Sequence, residues 1–213
     1  MAGGPGAGAA FLDSLAAGTA TPGGGAAAAY SGAMAAGLVG MVARLTIGKK
    51  KYAEVEPQMK EILAQAERLR QELTRAVQED SAAFEQVMAA FKLPKETPEQ
   101  ESARNRAIET ATVQASDVPL AVAHKAADVM ALAERVVALG NLNAISDGAS
   151  AAALARAALT SAGYNVRINV ANLQATASGE DFLTRLQALE VRAAKLEKQV
   201  QKALKERGGL SLA

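Results

Sequence analysis

From Thr19 to Ala43 the chain runs for 25 residues without a charge, "TATPGGGAAAAYSGAMAAGLVGMVA", and soon afterwards reaches "TIGKKKY". A span of this length is long enough to cross a bilayer, which takes ~20 apolar residues. Its content is mostly alanine and glycine, which contribute little to insertion, and "MAGGPGAGAAF" ahead of it lacks a basic signal region. The segment therefore reads as a buried helix of a soluble core, about Gly25 to Ile47, stopped by Gly48. Gly32, Ala36 and Gly40 recur every fourth residue along it, a stripe of small residues that lets another helix sit close. A cytoplasmic location is expected.

Alanine dominates the apolar half of the 213 residues, while aromatics are limited to four Phe and three Tyr. Alanine has the best helix propensity and allows close backbone approach, so such a chain favours packed helices. A net charge of +1 gives no electrostatic argument for nucleic acid or a membrane surface. Zero cysteines exclude disulfides, thiolate catalysis and Cys-ligated zinc or iron–sulfur sites, and the single histidine, His124, excludes a His-rich metal centre. The expected organisation is a disordered tail over 1–9 and one helical domain over 10–213.

The periodicity predicts helices throughout. "FLDSLAAG" is a short one ending at Gly18, and "TATPGGG" is a loop. A long helix from Pro57 to Phe91 carries Met59, Ile62, Leu63, Ala66, Leu69, Leu73, Val77, Phe84, Val87, Met88 and Phe91 at three- and four-residue spacing. Two separate helices follow, Pro98–Ser116 and Pro119–Leu139, then a turn at "GNLNAISDG" and a helix from Asp147. "YNVRINVANL" alternates like a strand, but with no second strand to pair with it reads better as continued helix. Phe182, Leu186, Leu189, Ala193, Leu196, Val200 and Ala203 form a seam suited to packing within the bundle or against a second chain.

Polar residues on apolar stripes are the candidates for chemistry. Asp80 lies three residues after Val77 and four before Phe84, on the buried face of its helix. A desolvated carboxylate is costly unless paired and its pKa rises. Such a residue serves either as a structural tie to a neighbouring helix or as a base beside a cationic ligand. In "GNLNAISD", Ser146 or Asp147 can cap the following helix, but capping leaves Asn141 and Asn143 unexplained, so the stretch reads as turn or site. Gly23, Gly24 and Gly25 form an ordinary turn or expose backbone N–H groups to a ligand. Lys49, Lys50 and Lys51 form a solvated turn or a receiver for negative charge, and His124 reads as structural.

Taken in order, "TPGGGAAA", "ARLTIGKKKY", "EDSAAFEQVMAAF" with "LPK", "GNLNAISD" and "NVRINV" resemble the cyclodeaminase/cyclohydrolase family over residues 11 to 173. That resemblance implies an all-α bundle of long antiparallel helices, a homodimer, no metal or cofactor, and a one-carbon tetrahydrofolate as substrate. It implies Asp80 as the base and electrostatic partner of the cationic one-carbon bridge. A lysine, Lys50 or Lys51, serves as proton donor or relay, with Lys49 facing the glutamate tail. Asn141, Asn143, Ser146 and Asp147 read the pterin amide edge and Gly23–Gly25 supply backbone groups. Two positions depart from the family pattern: Ala26 replaces a serine after the glycine run, and Leu142 replaces a proline in the asparagine turn. No formiminotransferase segment accompanies the helical one, which favours 5,10-methenyltetrahydrofolate hydrolysis over formimino deamination. The alternative from another class is a non-enzymatic helical scaffold.

Overall fold

The computed structural model describes residues 7–210. Six α-helices follow one another: α1 (Ala7–Ala16), α2 (Gly24–Thr46), α3 (Glu56–Phe91), α4 (Pro98–Leu139), α5 (Ile145–Val170) and α6 (Thr176–Gly208). Short 3-10 turns occupy Lys50–Val55 and Leu142–Ala144, and no strand occurs among the described residues. Of the expected tail, residues 1–6 lie outside the described residues, whereas 7–9 already belong to α1. That helix docks on α2 by stacking Phe11 on Tyr30, ring centroids 4.6 Å apart.

The all-α expectation holds. Helix α2 packs on α3, α4 and α5, and α6 covers the other side of α4 and α5. Close packing follows from the small residues. At Gly32 an added Cβ would come within 3.2 Å of both Leu73 methyls, and the Ala158 Cβ lies just beyond. Among the described helices only α2 has the length and apolarity of a membrane span, but its buried residues are spent on these protein neighbours. The seam of α6 also faces inward, with Phe182, Leu186, Leu189, Ala193 and Val200 in the core. Local signals set the boundaries. Thr97 and Gln100 exchange capping-box bonds at the start of α4, and Gly48 (φ 76°) and Gly209 (φ 64°) take left-handed turns after α2 and α6.

Three expectations need correction. The predicted break at Pro119 is absent: α4 runs continuously through it. A mid-helix proline removes the N–H that would bond the carbonyl four residues back, at a cost of about 3 kcal/mol or more. Here the carbonyl is that of Ala115, and the Asn169 side chain on α5 donates to it instead, Nδ2 to O 2.8 Å. Second, neither Ser146 nor Asp147 caps α5. Both lie in its first turn, Ala144 occupies the cap position, and the Asn141 side chain accepts from Asn143 N–H one turn earlier. Third, the apolar stripe of α3 outruns the core, leaving Phe84, Met88 and Phe91 partly exposed.

Candidate active site

The half-buried Asp80 reaches across from α3 to the first turn of α2. Its carboxylate lies against Gly25, where an added Cβ would come within 2.8 Å of the carboxyl carbon and both oxygens. Only glycine admits that approach. The carboxylate thereby approaches the backbone N–H of Ala26 in the first turn of α2, where Gly23 provides no side-chain cap. Burial pushes the Asp80 carboxyl above the ordinary aspartate range, and the Ala26 N–H offsets only part of that rise. No lysine or arginine forms an ion pair with Asp80 among the described residues. The position is thus neither superficial nor locked to an arginine.

A cleft of about 320 Å³ opens beside the carboxylate. Thr21 and Gly23–Gly25 form one side, Ala83, Phe84 and Val87 of α3 a second, and Asn165, Ile168 and Asn169 of α5, with Asn172 in the turn that follows it, a third. No basic side chain lines it. The three asparagines were missed in the sequence, although the spacing of four between Asn165 and Asn169 puts those two on one helical face, a signal hidden by the alternating valines and isoleucine around them.

The remaining candidates gather at the opposite end of α2. Lys49, Lys51, Tyr52, Asn141 and Asn143 line a second depression of about 290 Å³. Buried Thr46 organises its floor: its hydroxyl donates to Val42 O (2.7 Å) and accepts from Asn141 N–H (2.9 Å). Asn141 Nδ2 donates to Leu45 O (2.9 Å), the Tyr52 hydroxyl accepts from Leu142 N–H (2.9 Å), and Arg207 of α6 donates to Gly140 O (2.9 Å). Asn141 is therefore consumed in fixing the turn, while Asn143 projects freely from it. Lys50, Ser146 and Asp147 line neither depression, and His124 is exposed on α4 away from both. All three lysines are exposed, so the burial on which a proton-relay lysine relied is absent from the single chain.

The expected site is thereby divided. Gly25 and Thr46 stand near opposite ends of α2, roughly 30 Å apart at about 1.5 Å of rise per residue. Asp80 and the glycines share one end, and the lysines and the asparagine turn share the other.

Comparison with known proteins agrees with this architecture. The formiminotransferase-cyclodeaminase family profile matches residues 8–188. A methenyltetrahydrofolate cyclohydrolase of Methylorubrum extorquens is 46% identical over 92% of this chain and 95% of its own length. The formimidoyltransferase-cyclodeaminase of Rattus norvegicus is 32% identical over 77% of this chain, which spans 30% of that longer protein. The crystal structure of formiminotetrahydrofolate cyclodeaminase from Thermotoga maritima superposes with a TM-score of 0.83 at 32% identity, covering 92% of this chain and 94% of the other. On the profile match over most of its length and the 46% identity to a full-length relative, this chain belongs to the formiminotransferase-cyclodeaminase family.

Proposed function

We propose that this protein hydrolyses 5,10-methenyltetrahydrofolate to 10-formyltetrahydrofolate, with Asp80 as the base and without a metal or cofactor. The observation that carries the mechanism is a carboxylate without a basic partner, half-buried beside a cleft whose other lining groups are neutral. The methenyl bridge is a cation and already a strong electrophile, so what it needs from a protein is position and proton transfer. As the oxygen of water bonds to the bridge carbon, Asp80 accepts the proton released and a neutral carbinol forms. The carbinol O–H proton then leaves as the bond from carbon to N5 breaks and N5 gains a proton. One formyl group remains on N10, and Asp80 returns its proton to solvent. The sequence is closer to the Methylorubrum cyclohydrolase than to the cyclodeaminases reported above, which favours hydrolysis over deamination.

The protein acts, on this reading, as a homodimer. A tetrahydrofolate molecule is too short to touch both ends of α2 in one chain, and α2 carries an apolar outer stripe of Tyr30, Met34, Leu38, Met41 and Leu45, with Met34 and Leu45 exposed. Two copies docked antiparallel along that stripe bring each Asp80 cleft to the lysine end of the other chain, as a two-fold interface requires. Lys49, Lys50 and Lys51 of the partner subunit then receive the folate carboxylates and supply a proton. Purified protein mixed with 5,10-methenyltetrahydrofolate should abolish the methenyl absorbance well above the uncatalysed rate. Absorbance that instead grows from 5-formiminotetrahydrofolate identifies deamination, and no effect on either compound ends the enzymatic reading.

A further inference from the structure

Three asparagines in the Asp80 cleft have no task in the hydrolysis just described. Each spends one amide N–H on a backbone carbonyl: Asn165 on Ser161 (2.9 Å), Asn169 on Ala115 (2.8 Å) and Asn172 on Ile168 (2.9 Å). No protein donor among the described residues meets any of their Oδ1 atoms. For Asn169 the orientation is forced. Pro119 has no N–H to give the Ala115 carbonyl, so that oxygen must be met by a donor, and a flipped amide would set two oxygens face to face. A proline on one helix thus fixes which way an amide on the next helix points.

The cleft is rich in acceptors. It offers the Asp80 carboxylate and amide oxygens, has no lysine, arginine or histidine, and is walled by Phe84, Val87 and Ile168. A negatively charged group finds no cationic partner there and sits beside the Asp80 carboxylate, whereas a flat ring with several N–H donors finds acceptors for them. We propose that Asn165 and Asn169 are specificity-determining residues that accept hydrogen bonds from the 2-amino group and adjacent ring N–H of the reduced pterin, with Pro119 as a positioning residue that holds Asn169 in register. This deepens the folate reading above and rests on it. It also sets the direction of entry: pterin into the cleft, glutamate tail outward.

The test is calorimetric binding of tetrahydrofolate and its 2-desamino-2-methyl analogue to the full chain and to the Asn165→Ala, Asn169→Ala and Pro119→Ala variants. The unaltered protein should prefer tetrahydrofolate by roughly tenfold or more, since the analogue leaves a cleft acceptor unpaired. Each asparagine variant should lose most of that preference while still binding both compounds. Pro119→Ala gives Ala115 back its helical N–H, releases the Asn169 amide, and should weaken the preference with no fall in Tm, an outcome that a merely structural role for Asn169 does not produce. Preference retained in full by both asparagine variants overturns the inference. If Asn169→Ala does not fold, Asn165→Ala decides, because its bond stays within α5. Methenyl turnover by the unaltered protein without any preference sinks this inference alone, whereas failure to bind any tetrahydrofolate sinks the folate reading along with it.

Discussion

Burial raises the Asp80 carboxyl while the Ala26 N–H lowers it, and burial is the larger influence. Two consequences belong to that one residue. A carboxyl with a folded pKa above its unfolded value of 3.8 binds its proton more tightly in the native state, so its contribution to stability is largest below that value and is lost as pH rises through the folded pKa. Asp80→Asn keeps an acceptor for Ala26 and sheds the buried charge. Urea melts at several pH values should therefore show the variant gaining on the parent as pH climbs, with no net loss near neutrality. Activity should move the other way. Loss of a positioned base costs ~10²–10⁴ in kcat, and in the parent the acid limb of kcat/KM should fall at a pH above the ordinary aspartate range. A variant that is less stable yet still active would mark Asp80 as only the cap of α2.

At the scale of elements, paired helices complete one another's missing bonds. Pro119 leaves α4 one donor short, and α5 supplies it through Asn169. The C-terminal end of α2 is tied to the asparagine turn through Thr46, whose hydroxyl serves one helix as donor and the turn as acceptor. Thr46→Val keeps the shape but leaves the Asn141 N–H without its partner, and should cost about 1–3 kcal/mol in denaturant unfolding. If Val is tolerated without loss, the turn is held by Leu45, Tyr52 and Arg207 alone.

At the scale of the whole molecule, Asp80 and the lysines stand at opposite ends of α2 in one chain, and the proposed dimer, with a second chain in reverse register, would bring them together. Mixing and reassembling an inactive Asp80→Asn variant with an inactive Lys49→Ala/Lys50→Ala/Lys51→Ala variant should restore about a quarter of parental activity, since half the dimers are mixed and each regains one of two sites. Met34→Glu, at the middle of the outer stripe, should give a monomer in sedimentation and a loss of turnover together. Full activity in that monomer would mean that each chain holds a complete site.

The sequence by itself determined the all-α class and the place of Asp80 on the inward stripe of its helix, because helical periodicity and a charge on an apolar stripe are local properties that survive in one dimension. Gly25 was legible as part of a glycine turn, but the carboxylate packed against it was not, because 55 residues separate it from Asp80. Tertiary structure alone decided that α4 passes through Pro119, since the donor that permits this sits on another helix. It also decided that the lysines and Asp80 stand at opposite ends of α2: motif order along a chain records which residues are present, whereas the length and direction of a rigid helix set how far apart they lie.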